Sequence, residues 1–133
     1  MHYKLCFIGF GNVARSLARL LERKRDALER QYGITYSVTG ISTGHHGFAV
    51  NQNGLDVNQV LQLVERGESI LPISNTPISN SLDVIRLSAA DVLFENSPVN
   101  YETGQPAIDH VRAALTAGMH AITANKGTVV HAY

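Results

Sequence analysis

Two stretches combine residue types and spacing that could do chemistry, Gly9-Phe10-Gly11-Asn12-Val13-Ala14 and Thr123-Ala124-Asn125-Lys126-Gly127. In the first, Gly9 permits a tight bend, Gly11 lets backbone approach a pyrophosphate, and the small Ala14 lets a following helix pack close to the preceding strand. The helix N-terminus would then aim free N–H groups and the positive end of its dipole at the phosphates. A G-x-G-x-x-A turn by itself also serves a purely structural bend. An apolar strand before it and a long amphipathic helix after it are the context that favours dinucleotide binding. In the second stretch, Lys126 follows a short apolar segment. A lysine over the carboxyl edge of a sheet could polarise or protonate a carbonyl oxygen as hydride arrives, although a plain surface lysine fits the same spacing.

Further candidates surround these two. An acidic residue after the second strand would bind the ribose 2′-hydroxyl of NAD. Here that region reads Ser42-Thr43-Gly44-His45-His46, with neither carboxylate nor arginine. Ser42, Thr43 or the two histidines could donate to a 2′-phosphate, and Arg15 in the facing helix could be a further partner. Cofactor choice stays open between NADP and NAD, leaning to NADP. Adjacent His45 and His46 without nearby cysteines or spaced carboxylates read as loop residues, so no metal site is expected. The loop Asn96-Ser97-Pro98-Val99-Asn100 leaves a strand's carboxyl end, where Ser97 could line the nicotinamide side, and an ordinary polar loop fits equally well. Glu95 at that strand's end reads as a hydrogen-bonded structural carboxylate before a general base. Cys6, the single cysteine, falls in an apolar run and reads as a buried small hydrophobe.

The elements that must position these residues follow from periodicity. Residues 3–8 form a short apolar run suited to a central parallel strand. Residues 12–32 carry Val13, Leu17, Leu20, Leu21 and Leu28 at helical spacing, with charges of mixed sign on a solvated face, and Gly33 stops the helix. Residues 34–42 read as a second strand, and Gly44 and Gly47 turn it into residues 48–50, an edge hairpin. Asp56 caps a helix carrying Val57, Val60, Leu61 and Val64, which Gly67 closes before an irregular linker over 68–77. Residues 79–89 predict a short helix with Leu82, Ile85 and Ala89 on one face, and 91–95 a buried strand. Pro106 and Gly118 bracket a helix with Ile108, Val111 and Leu115 inward, and 120–123 is the next strand. The alternation predicts an α/β fold, a Rossmann-like doubly wound parallel sheet with about four parallel strands plus the edge hairpin, short of the complete 3-2-1-4-5-6 order.

The 133 residues fit one domain on the scale of about 100–200 residues per domain. With 44% hydrophobic residues, 17% charged residues and zero net charge, nothing points to nucleic acid or an anionic membrane. No apolar run reaches the roughly 18–20 residues needed to cross a bilayer, and the start reads directly into a strand, so a cytoplasmic protein is expected.

Taken together, Ile8-Gly9-Phe10-Gly11-Asn12-Val13, the 91–98 strand and loop, Gly104-Gln105-Pro106-Ala107, and the run from Ala117-Gly118-Met119-His120 through Lys126-Gly127 resemble homoserine dehydrogenase. The Thr-Ala-Asn-Lys-Gly segment after an Ala-Gly-x-His helix end is the most specific part. The resemblance implies an NAD(P)-binding amino-terminal domain over 1–133 of an oxidoreductase that interconverts L-homoserine and L-aspartate 4-semialdehyde, in the aspartate branch leading to threonine and methionine. By it, Phe10, Asn12 and Val13 cradle the pyrophosphate beside Gly9 and Gly11. Ser97, Pro98, Ala124 and Asn125 lie near the nicotinamide and its ribose, and Lys126 is the catalytic lysine. Ala14 stands where many members have glycine, a change that keeps the side chain small. The family's substrate-binding and dimerisation domain is absent, so the chain is expected to be a fragment or one part of a split gene product that binds cofactor without turnover. The rival readings are a dinucleotide-binding module with no catalytic activity and a homo-oligomer formed through the sheet edge and its apolar surface.

Overall fold

A computed structural model describes residues 1–97, 103 and 105–123. Its sheet is built outward from β1 (His2–Ile8), whose alternate side chains enter two different cores. Leu5 and Phe7 point to one face, where α1 (Asn12–Tyr32) and α2 (Val57–Glu65) pack; Cys6 and Ile8 point to the other, where α3 (Ser81–Leu87) and α4 (Ala107–Thr116) pack. A strand buried on both faces has to be apolar at successive positions, which is why the run lacks polar alternation.

β2 (Thr35–Ser42) and β4 (Val92–Glu95) flank β1 in parallel, β5 (His120–Thr123) adds to β4 in parallel, and β3 (Phe48–Val50) pairs antiparallel with β2. The order β3-β2-β1-β4-β5 matches the expected four parallel strands with an edge hairpin. The pairs Ile8 with Ser42, Ile8 with Glu95 and Glu95 with Thr123 put Ser42, Ile8, Glu95 and Thr123 in one row at the carboxyl edge. The segments after these four residues therefore leave the sheet side by side, the arrangement that makes such an edge a binding site.

Helix boundaries follow their caps. The Asp56 side chain accepts from Gln59 N at 3.1 Å, and Asn80 accepts from Asp83 N at 2.9 Å, so each helix begins where a side chain replaces a missing intrahelical partner. The 68–77 linker is irregular apart from a single 3₁₀ turn, Leu71–Ile73.

Three predicted helix faces are rotated in the structure. In α1 the residues buried against the sheet are Ala14 and Ala18, with Leu17, Leu21 and Leu28 beside them, whereas Val13 and Leu20 are exposed. The alanines bring the helix axis close to the sheet, so the stripe centres on the small residues and the larger ones straddle it. In α3, Val84 and Ile85 are buried while Leu82 and Ala89 face outward. In α4, Ala107, Ile108, His110 and Ala114 are buried, Val111 is partly so, and Leu115 is exposed. The charged run of α1 is also not uniformly solvated: Arg25 lies 4.1 Å over the Tyr36 ring and binds Glu22 at 2.8 Å. No helix among the described residues is long and apolar enough to cross a membrane.

Candidate functional site

β1 ends by turning through Gly9 into α1, and the two glycines of this turn are glycine for different reasons. Gly9 has φ +85°, and its N–H donates to Ser42 O at 2.9 Å. A β-carbon there would lie 2.5 Å from the carbonyl carbon of Asn96 and 2.6 Å from Ser97 N. The fold itself thus demands glycine, because the β4 exit packs directly on the turn. Gly11 has an ordinary φ of −82°, and a β-carbon on it would meet nothing within 4 Å. Nothing among the described residues accounts for the second glycine.

Gly11 is also the N-cap of α1, and it supplies no side chain to the helix's first N–H groups; the first turn carries no acidic residue. Phe10 turns its ring into the core, edge-on to Phe7 at 5.9 Å, so only its backbone faces the turn. The Asn12 side chain is exposed and accepts from Arg15 at 2.8 Å, and Val13 is exposed beside it.

A cleft of about 300 Å³ opens over this turn, lined by Gly9, Gly11, Arg15, His45, His46 and Asn96 among others, with no carboxylate among the described residues of its wall. Among the described residues, Arg15 Nε is the one buried side-chain polar atom without a hydrogen-bond partner. Such an atom normally finds a partner, so the guanidinium suits an anion entering the cleft. Thr43, expected to donate to a ligand, is turned inward: its hydroxyl donates to Gly47 O at 2.8 Å and accepts from His46 N at 2.7 Å. Ser42 is likewise engaged, hydroxyl to hydroxyl, with Ser81 at 2.8 Å. Thr43 thus closes the β2–β3 turn, and Ser42 ties the end of β2 to the start of α3. His45 and His46 join no group of three metal-binding side chains among the described residues.

A second cleft of about 460 Å³ shares Gly9, Thr43 and Gly44 with the first and extends to Ser97, Pro106 and His110. Behind its wall lies a buried polar cluster. Glu95, fully buried, accepts from the Ser97 backbone N–H at 2.7 Å and from the Ser97 hydroxyl, and its other oxygen lies 2.6 Å from His110 Nδ1. Glu95 is therefore the hydrogen-bonded carboxylate expected from its place at the strand end. His110 lies off the Ile108, Val111, Leu115 stripe that periodicity predicts for α4, so the sequence pattern does not single it out. The detectable signal was a histidine at i+3 from Ala107 and i−4 from Ala114, on the small-residue face that packs inward.

Cys6 is fully buried, and burial pushes its thiol up to about 12, in keeping with an inert core residue. Pro98, Ala124, Asn125 and Lys126 lie outside the described residues.

No protein-family model matches the chain. Among curated proteins it is similar to homoserine dehydrogenase of Methanocaldococcus jannaschii, 35% identical over 133 residues, covering 97% of this chain and 38% of that protein. It is also similar to an NAD(+)-dependent homoserine dehydrogenase of Pseudomonas canavaninivorans, 31% identical over 128 residues, covering 96% of this chain and 36% of that protein. The chain thus spans little more than a third of the length of these relatives. Among solved structures, homoserine dehydrogenase from Thermoplasma acidophilum superposes with a TM-score of 0.75 at 26% identity, covering 98% of this chain and 37% of that one. A hyperthermophilic archaeal homoserine dehydrogenase in complex with NADPH shares the fold, with a TM-score of 0.74 at 21% identity, covering 97% of this chain and 37% of that one.

Proposed function

We propose, from the premise that this chain is a homologue of homoserine dehydrogenases along nearly its whole length, that it forms the nicotinamide-dinucleotide-binding part of such an enzyme. The observation that carries the reading is Gly11: its backbone is unstrained, a β-carbon there would meet nothing within 4 Å among the described residues, and it opens α1 over a cleft whose described lining holds no carboxylate. A glycine that the fold does not use is explained by a ligand that must come close. The residues present fit a dinucleotide. The backbone from Gly9 to Val13 would hold the pyrophosphate, with the N–H groups of the first turn of α1 as donors.

The partnerless Arg15 Nε, with His45 and His46 on the same cleft, supports NADP over NAD, since a 2′-phosphate would meet cationic and donor groups and no repelling carboxylate. Ser97 with Pro98, and Ala124 with Asn125, would border the nicotinamide and its ribose. When bound, the cofactor supplies or accepts the hydride; Lys126 would hold the carbonyl or alcohol oxygen of the substrate and exchange its proton. In the whole enzyme the reaction is the interconversion of L-homoserine and L-aspartate 4-semialdehyde. The carboxylates that would hold the amino-acid substrate are sought in the length of the relatives that this chain does not span, so the chain by itself binds cofactor without turnover.

Titration of the 133-residue chain with NADPH and NADH, followed by nicotinamide fluorescence, tests this directly. The expected result is saturable binding, tighter for NADPH, and no reduction of NADP on adding homoserine. Absence of binding overturns the dinucleotide reading, equal affinities overturn the NADP preference, and turnover overturns the restriction to binding.

A further inference from the structure

The hydrogen-bonded group Glu95–Ser97–His110 sits where two things meet: the phosphate-type turn and the second cleft. Asn96 and Ser97 press on Gly9 so closely that a β-carbon there would fall 2.5 Å from Asn96 C. Asn96 lines the first cleft, and Ser97 lines the second together with His110. Ser97, the residue that Glu95 holds, therefore borders the second cleft and not the first.

Asn96 N–H donates to Ile8 O at 2.7 Å, and a carboxylate fixes the next residue. Glu95 closes a tight turn on its own chain by accepting from Ser97 N at 2.7 Å and from the Ser97 hydroxyl. Such a carboxylate, completely buried at the end of β4, also requires a partner from outside the turn. His110 of α4 supplies it at 2.6 Å, and the same Nδ1 lies 3.4 Å from the Ser97 hydroxyl. The short contact from His110 Nδ1 to the Glu95 carboxyl fixes the imidazole's orientation and ties α4 to the β4 exit.

We propose that Glu95 and His110 are positioning residues for the cofactor: together they hold the 96–97 backbone and the Ser97 hydroxyl in the place that receives the nicotinamide half of the dinucleotide. The inference rests on the dinucleotide reading above. It assigns the pair no contact with the cofactor's adenine half, because the Arg15, His45 and His46 cleft lies on the other side of Gly9 and contains neither Glu95 nor His110.

The test compares two ligands on the same chain: NADPH, and adenosine 2′,5′-bisphosphate, which lacks the nicotinamide half. His110→Leu removes the donor while keeping the bulk. His110→Asn puts an amide N–H near the former Nδ1. Glu95→Gln keeps the shape but sets an amide against the Ser97 donors in one orientation. Losing the short bond that holds the wall is expected to weaken NADPH by about tenfold or more in His110→Leu, with the bisphosphate changed less than about twofold. The nicotinamide fluorescence enhancement on binding should fall in the same variant, and His110→Asn should restore most of both. Glu95→Gln should fall between the two and provides the same readout if His110→Leu does not fold. Equal loss for both ligands, or native NADPH affinity and fluorescence in a folded variant, overturns the inference alone. Failure of the unsubstituted chain to bind either ligand overturns the dinucleotide reading and this inference with it.

Discussion

The two clefts that meet at Gly9 are built on opposite plans. On the α1 side the wall is open: among the described residues a β-carbon on Gly11 would meet nothing within 4 Å, the helix start has no side-chain cap, and Arg15 lines the cleft. On the α4 side the polar groups are closed on one another, with Glu95 holding Ser97 and His110 in a buried cluster. An open set of donors is suited to a ligand that supplies the acceptors. A closed set is suited to holding backbone in place, because buried polar groups repay their desolvation only when paired. The difference separates residues suited to meeting a ligand from residues suited to holding the frame.

Gly9→Val strikes the wall shared by both clefts and carries the largest expected effect. It needs a β-carbon where Asn96 backbone already lies, at a φ of +85°. A loss of roughly 3 kcal/mol or more is expected in urea unfolding; a loss below about 1 kcal/mol would mean that the β4 exit can move off the turn. Glu95→Ala comes next and tests the closed side. It strands the Ser97 N–H and His110 without their acceptor, so about 2–3 kcal/mol should be lost by the same measurement. A neutral outcome would show that the cluster does not hold the frame.

Gly11→Val tests the open side and should be the contrasting case. With nothing within 4 Å of the added carbon, stability is expected to change by less than about 0.5 kcal/mol while calorimetric binding of NADPH disappears. Retained affinity would place the phosphates elsewhere; a large loss of stability would remove the contrast between the two glycines. The smallest effect belongs to Cys6, fully buried in the core on the α3 and α4 side of β1. Burial raises its thiol from 9.0 to about 12, with Glu95 adding to the rise and the Ser88 hydrogen bond opposing it. An unfolded chain ionises this thiol first, so the contribution is fully present below pH 9 and is lost as pH climbs toward about 12. Iodoacetamide at pH 8 should leave the native chain unlabelled and modify it once urea unfolds it. Rapid labelling of native protein would show that the sheet opens around β1.

The strand and helix order was legible because each element announces itself locally. The β1 run, the Asp56 cap and the glycines at 33, 67 and 118 gave boundaries within a residue or two, since caps and periodicity act over one or two turns. The G-x-G-x-x-A turn was legible for the same reason. The helix faces were less so: Val13, Leu20, Leu82 and Leu115 are apolar and exposed, because the distance at which a helix packs on a sheet depends on its smallest residues, here Ala14 and Ala18 in α1 and Ala107 and Ala114 in α4.

The amino-acid sequence by itself determined the doubly wound order, the G-x-G-x-x-A turn and the likeness to homoserine dehydrogenases, all of which depend on short-range patterns. Only the tertiary structure decided that Gly9 serves the fold while Gly11 is left for something else, and that Glu95, Ser97 and His110 form one unit. Those facts depend on β4 lying beside β1 and α4 packing across β4, which brings groups 15 residues apart to 2.6 Å and places Asn96 against a glycine 87 positions earlier. Pairing of that kind comes from packing, and no local spacing encodes it.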